Sequence, residues 1–179
     1  MMTSFPQNIP TILNIINAVN PKSVLDVGSG FGKFGLLTRE LLLAKKAEDN
    51  GEEYPLDDLQ IDSVEEADYF RFSRAHHYIY NTVFSVDILD ESSLFPGEYD
   101  LVLLIDVIEH WDKEVAIKWL NSVNANILIS TPKKVSYYKK KYYGCRKHTC
   151  QFTEEDFKSM GIKDNHSTDQ SFIYLKRKK

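Results

Sequence analysis

This chain of 179 residues lacks the features that mark several large protein classes. Its two cysteines are too few for a disulfide scaffold. It has no apolar run long enough to span a bilayer and no apolar segment at its N-terminus of the kind found in signal peptides. No segment is repeated, and no linker divides the chain. The net charge is only −4, and the chain is long enough to bury a core. We therefore expect one domain, residues 1–179, in the cytoplasm.

Glycine is also scarce, yet four of the eight glycines lie within residues 28–35. An apolar run at 23–27 leads into Gly28, Gly30 and Gly32, and an amphipathic helical pattern follows. This order of strand, tight turn and helix is typical of nucleotide-binding βα units. Glycine is required there because the backbone takes positive φ or because a ligand lies against the main chain.

Asp26 helps to choose among the cofactors that such a unit can hold. Gly30, Gly32 and Gly35 satisfy the dinucleotide pattern G-x-G-x-x-G, which by itself predicts NAD. A carboxylate two residues before Gly28 would repel a pyrophosphate at the helix N-terminus, but it suits a sulfonium and an α-ammonium group. Residues 23–35 resemble motif I of the class I S-adenosylmethionine (SAM) methyltransferases, hydrophobic-Asp-hydrophobic-Gly-x-Gly-x-Gly. The resemblance implies SAM as the cofactor rather than a nicotinamide.

Strand and helix patterns alternate along the rest of the chain. Strands are predicted at 23–27, 59–65, 82–86, 99–105, 126–130, near Ile162 and at 171–175. Helices are predicted at 10–19, 33–46, near 68–76, after Trp111 and from Thr153, with a long loop at 47–58. Alternating βα units predict a parallel sheet covered by helices on both faces.

The order of these elements resembles the methyltransferase fold. The resemblance implies a three-layer α/β/α, Rossmann-like architecture whose seven-stranded sheet is mostly parallel, with one antiparallel edge strand. We divide the chain into an N-terminal helix (10–19), a SAM-binding core (23–131) and a substrate-side loop with C-terminal strands (132–179).

Residues at the carboxyl ends of the strands are the candidates for binding a ligand. After the second strand, Asp62, Glu65 and Glu66 compete to hold the ribose hydroxyls, since a carboxylate accepts two hydrogen bonds; a resemblance to small bacterial and phage methyltransferases favours Glu65. After the third strand, Asp87 and Ile88 resemble the adenine pocket of the family, although Asp87 alternatively caps the following turn. The full set of predicted cofactor-binding residues is Asp26, Gly28, Ser29, Gly30, Phe31, Gly32, Glu65, Asp87, Ile88 and Asp106.

The segment after the fourth strand supplies the substrate side of the predicted site. Asp106 is expected to face the amino-acid end of the cofactor or the acceptor. His110 and His148 are candidate general bases, because an imidazole titrates near neutral pH. We therefore take Asp106, His110 and His148 as the candidate catalytic residues, acting without a metal. Glu109, next to His110, fits a structural role at a helix start.

An alternative reading gives these residues to a metal ion. Asp106, Glu109 and His110 resemble an acid-x-x-Glu-His run in small-RNA 3′-terminal 2′-O-methyltransferases and ubiquinone-pathway O-methyltransferases, and His148 resembles the second histidine of the RNA enzymes. Carboxylates and imidazoles suit Mg²⁺, Mn²⁺ or a related ion, which would lower the pKa of a bound hydroxyl. This resemblance implies methylation of the terminal ribose of an RNA.

Residues 133–147 carry seven cations and four tyrosines without one acid. Basic charge beside aromatic rings is suited to single-stranded nucleic acid or another anionic acceptor, whereas the alternative interpretation is a solvated loop. The acceptor, a small molecule or an RNA bound through Lys133–Lys147, is left open, and no membrane is expected as a partner. A third hypothesis is a non-catalytic protein of the same fold that binds polyanions through this segment.

Overall fold

The computed structural model describes residues 4–51, 59–66, 74–90, 98–134 and 147–179. A seven-stranded sheet in the order β3-β2-β1-β4-β5-β7-β6 forms its centre. The strands are β1 (Ser23–Val27), β2 (Gln60–Val64), β3 (Thr82–Phe84), β4 (Leu101–Ile105), β5 (Asn126–Pro132), β6 (Asp164–Asn165) and β7 (Ser171–Lys176). The first five strands pair in parallel, and β7 runs antiparallel to both β5 and β6. The predicted fold class is confirmed, with the two-residue β6 completing the edge beside β7.

Helices cover both faces of the sheet. They are α1 (Ile9–Val19), α2 (Lys33–Asn50), α3 (Arg74–Ile79), α4 (Lys113–Ser122) and α5 (Glu154–Ser159), with 3₁₀ turns at Pro6–Asn8 and Ile108–His110. One apolar cluster joins the sheet to α1, α2 and the end of α3, and a second joins it to α4 and α5. Side chains alternate between the faces of a strand, so β1 places Val24 in the first cluster and Leu25 in the second.

Several element boundaries differ from the prediction. Helix α2 continues to Asn50 instead of residue 46, because Gly51 takes φ 65° and its N–H closes the helix onto the carbonyl of Ala47 at 2.9 Å. Strand β5 extends to Pro132 because the antiparallel β7 pairs with it from Ile127 to Pro132. Strand β3 ends at Phe84, and pairs with β2 alone.

Two predicted elements are only partly described. The helix expected near 68–76 appears as α3, and residues 67–73 lie outside the described residues, as do residues 52–58 of the predicted loop. The predicted start of the last helix is confirmed: Thr153 and Asp156 form a reciprocal capping box at α5. In the described part of the chain, no helix is long and apolar enough to cross a membrane.

The strand order determines where a ligand can bind. Strand β1 has β2 on one side and β4 on the other. Strands β2 and β3 extend the sheet in one direction and β4 and β5 in the other, so the strand order reverses at β1. In open parallel sheets the crevice at such a reversal, beyond the carboxyl ends of the strands, is the usual ligand site. The residues that follow β1, β2 and β4 therefore meet at one edge.

Candidate cofactor and substrate site

The loop between β1 and α2, residues 28–32, is called the glycine loop here. Gly28, Gly30 and Gly32 have φ values of 65°, 55° and 81°, a region that side chains disfavour. A Cβ at Gly28 would lie 2.8 Å from a methyl group of Val107, whereas a Cβ at Gly30 would meet no atom of the described residues within 4 Å. The loop therefore needs its glycines for conformation, and the space beside Gly30 is open.

Of the three acids considered after β2, Glu65 has a described contact with the glycine loop. Its Oε2 accepts the N–H of Gly30 at 3.0 Å. The Asp62 side chain is buried and accepts hydrogen bonds from the Gln60 amide and the Tyr99 hydroxyl. Glu66 is exposed. The geometry favours Glu65 for a ligand on the loop, and its ribose role stays a prediction.

Asp26 is buried at the end of β1, with 3% of its surface exposed. It accepts a hydrogen bond of 2.5 Å from the hydroxyl of Tyr80, which follows α3, and another from the main chain of Gly35 in α2. Burial raises the pKa of Asp26 to about 7, these two hydrogen bonds oppose the rise, and the charge of Glu65 adds to it. Asp26 is therefore held by Tyr80 and Gly35, and its contact with the cofactor stays a prediction.

Gly35, which completes the dinucleotide-like pattern, has a packing role. A Cβ at this position would overlap the ring of Tyr80. The third glycine of the pattern therefore makes room for the residue that hydrogen-bonds Asp26.

His76 is a residue of this site that no sequence pattern predicts. This side chain of α3 is fully buried, and its Nε2 lies 3.3 Å from the Oγ of Ser29 in the glycine loop. The same Oγ lies 2.8 Å from that of Ser63 in β2. No spacing signal identifies a histidine whose partner lies 47 positions away in the glycine loop, so only the fold reveals it.

Asp87 and Ile88 follow β3. The Asp87 carboxylate accepts the N–H of Leu89 at 2.9 Å, and its carbonyl accepts the N–H of Asp90 at 3.0 Å. Asp87 therefore caps the turn, the alternative weighed from the sequence. Ile88 is 7% exposed and belongs to the same apolar cluster as Val64. The adenine-pocket role of this pair stays a prediction.

Asp106 has a left-handed backbone with φ 57°, unusual for a residue other than glycine. Its Oδ1 accepts a hydrogen bond of 3.1 Å from the hydroxyl of Ser130, and Ser4 hydrogen-bonds the same carboxylate. Lys33 donates to the carbonyl of Ser4 at 3.1 Å. Burial raises the pKa of Asp106, while these hydrogen bonds and the charge of Lys33 lower it. The N-terminal segment is thus held beside the carboxyl end of β4.

Glu109, His110 and His148 form a compact group beyond β4. One ligand atom from each residue lies within 4.8 Å of the others, and the two imidazole centroids are 4.7 Å apart. Glu109 is 1% exposed: its Oε2 accepts the hydroxyl of Thr131 at 3.0 Å, while its Oε1 is buried without a hydrogen-bond partner among the described residues. Burial, reinforced by Asp106, raises the pKa of Glu109 well above its ordinary value.

Backbone contacts bring His148 to this group. The N–H groups of Thr149 and Cys150 donate to the carbonyl of Glu109 at 2.8 and 3.3 Å. The structure therefore unites three of the four residues considered as metal ligands, and Asp106 is not in the group. Of the basic stretch 133–147, residues 135–146 lie outside the described residues.

The strand order is that of a Rossmann-like fold, and comparison with known proteins shows which solved structures share it. No protein-family model and no curated protein matches the chain, but solved structures do. Magnesium protoporphyrin IX methyltransferase from Synechocystis PCC 6803, solved with bound SAM, has a TM-score of 0.59 at 16% identity, over 94% of this chain and 77% of that one. Protein PH0226 from Pyrococcus horikoshii has a TM-score of 0.60 at 15% identity, over 96% and 88%. The methyltransferase domain of bacterial CtHen1 has a TM-score of 0.53 at 20% identity, over 95% and 98%.

Proposed function

We propose that this protein is a SAM-dependent methyltransferase that transfers a methyl group to an oxygen or nitrogen nucleophile. The observation that carries the proposal is the hydrogen bond between Glu65 and the N–H of Gly30. It joins the acid after β2 to the glycine loop after β1, at a point where the backbone is open to a ligand. A carboxylate at this point suits a diol such as a ribose, and similar solved structures contain SAM or S-adenosylhomocysteine.

The chemical contribution of the chain would be positional. Methyl transfer from a sulfonium needs the nucleophile in line with the methyl group, and orientation alone supplies a large part of such a barrier reduction. Asp106, His110 and His148 border the acceptor side in this proposal. A histidine there would accept the proton of the nucleophile.

Calorimetric titration of SAM, S-adenosylhomocysteine and NAD⁺ tests the cofactor. We expect micromolar binding of the two adenosyl compounds and none of NAD⁺. Glu65→Ala should weaken SAM binding at least about tenfold, the effect of losing a charge-assisted hydrogen bond. Glu66→Ala, which changes the exposed neighbouring acid, is the matched control and should leave the affinity unchanged. If neither adenosyl compound binds, the methyltransferase proposal is wrong, and polyanion binding without a cofactor becomes the leading hypothesis.

The group of Glu109, His110 and His148 favours a second candidate, a metal-assisted RNA 3′-terminal ribose 2′-O-methyltransferase. One carboxylate and two imidazoles form a donor set that fits a divalent ion such as Mn²⁺. Oε1 of Glu109, which has no hydrogen-bond partner among the described residues, could serve as one of the ligand atoms. Such an ion would lower the pKa of a bound hydroxyl. Thr131 would orient the Glu109 carboxylate through its hydrogen bond to Oε2.

Mn²⁺ titration followed by electron paramagnetic resonance distinguishes the two candidates. The metal-assisted candidate predicts binding by the wild type, loss of binding in His148→Gln, and unchanged binding in His166→Gln, an exposed histidine near β6. It also predicts methylation of an RNA with a 3′-terminal ribose but not of one ending in 2′-deoxyribose. Activity that persists after chelation would exclude it and leave the metal-free reaction.

A further inference from the structure

His76 contacts the glycine loop of the candidate site. It is fully buried, in α3, and it approaches the loop through two contacts: Nε2 lies 3.3 Å from the Oγ of Ser29, and the imidazole hydrogen-bonds the main chain of Gly30. Gly30 is also the residue whose N–H binds Glu65. Residues 29 and 30 of the glycine loop are therefore contacted by two different elements, by α3 through His76 and by the end of β2 through Glu65.

The second nitrogen of His76 shows that the ring is placed for these contacts. Nδ1 is buried and has no hydrogen-bond partner in the part of the chain that the structure describes. A buried polar atom without a partner costs free energy, which the contacts of Nε2 must outweigh for a histidine to be stable here. Burial lowers the pKa of His76, so the ring is neutral at physiological pH and can leave Nδ1 unprotonated.

Ser29 connects this ring to the rest of the site. Its hydroxyl lies 2.8 Å from that of Ser63, and it also hydrogen-bonds Tyr80, the partner of Asp26. Hydrogen bonds between buried groups are strengthened by the low local dielectric, so contacts among these side chains restrain one another. His76 is the member that comes from α3 itself and reaches the loop backbone.

We propose that His76 is a positioning residue for the glycine loop: through Ser29 and Gly30 it holds residues 28–32 in the conformation that receives the adenosyl cofactor. The loop conformation is a property of the free protein. Its use for SAM rests on the function proposed above. Positive φ at three positions leaves the loop with many accessible conformations in the absence of such a tie, so pre-organisation lowers the entropic cost of binding.

Amide hydrogen exchange of the free protein tests the positioning directly. The N–H groups of Gly28, Gly30 and Gly32 all have acceptors within the protein, so their protection reports the loop. His76→Leu should lower that protection by about tenfold, the effect of one lost hydrogen bond. His76→Gln, whose amide reaches about as far as Nε2, should restore protection to within about threefold of the wild type. His77→Leu, an exposed change on the same helix, is the control and should have no effect.

SAM titration of the same variants provides the second readout. We expect affinity to fall about tenfold in His76→Leu and to recover in His76→Gln. The proposal is overturned if His76→Leu leaves loop protection unchanged, or if His76→Gln loses as much as His76→Leu, which would indicate packing alone. If His76→Leu does not fold, Ser29→Ala removes the hydroxyl partner instead and must lower loop protection. If His76→Leu lowers loop protection but the wild type binds no SAM, the proposed function is wrong and the positioning role stands.

Discussion

Asp26→Asn changes one buried carboxylate, and its effect on stability can be worked out from the titration of that group. In the unfolded chain the carboxyl titrates near 3.8, and in the folded protein near 7. Between these values the folded protein holds a proton that the unfolded chain has released. The free energy of unfolding therefore falls as the pH rises through this window, and it stays constant above it.

The magnitude follows from the distance between the two pKa values. About three pH units correspond to a loss on the order of 4 kcal/mol between pH 4 and pH 7. The amide oxygen of an asparagine can still accept the hydrogen bond from Tyr80, and the amide does not titrate. We expect the variant to match the wild type near pH 4 and to exceed its stability by roughly 2–4 kcal/mol at pH 8.

Urea unfolding from pH 4.5 to pH 8 measures this difference. Asp49→Asn, which changes an exposed carboxylate near the end of α2, is the control and should run parallel to the wild type. Parallel curves for Asp26→Asn as well would refute the reasoning. A gain in stability accompanied by weaker SAM binding would show that the carboxylate is kept for its ligand at the expense of the fold.

Three further changes test the packing around the site. Tyr80→Phe removes the donor to Asp26 and should lower the free energy of unfolding by about 1.5–3 kcal/mol at pH 8 and by less at pH 5, where the carboxyl is protonated, as measured by urea unfolding. Gly28→Ala combines positive φ with a contact of 2.8 Å to Val107; it should cost about 1–3 kcal/mol in the same assay, and an unchanged midpoint would contradict the observed loop. Phe157→Ala empties a fully buried position and should cost about 3–5 kcal/mol, with a lowered thermal midpoint as the readout.

The features of this protein that can be predicted from its sequence are those determined by residues close together in the chain. Three features follow from neighbouring residues and are present in the structure: strand β1, the positive-φ glycines after it, and the capping box of Thr153 and Asp156. Resemblance favours Glu65 among three acids; the structure shows its hydrogen bond to Gly30, and its role toward a ligand stays a prediction. Periodicity alone does not separate these acids. The contact of Asp62 with Tyr99, which lies 37 positions later in the chain, is visible only in the structure.

The parts that sequence could not supply depend on long-range contacts. His76 is defined by Ser29, and the pKa of Asp26 by burial and by Tyr80, neither of which is visible as a spacing. The end of α2 was missed for a local reason: its last turns are polar, and only Gly51 marks the stop. The prediction that Glu109 and His148 lie in one site depends on resemblance to a family, because no pattern within the chain places them together.

The adjacency of β1 and β4 has a consequence for how the protein folds. These neighbours in the sheet are far apart in the chain, and Asp100 fastens the main chain of Lys22, 78 positions away, at the start of β1. Pairings between such distant segments form slowly, because a long loop must be closed before any contact rewards the closure. The carboxyl edge that carries the glycine loop and Asp106 is complete only once this pair has formed. During synthesis, the ligand crevice is therefore absent until β4 has emerged, and a cofactor can stabilise only the late stages of folding.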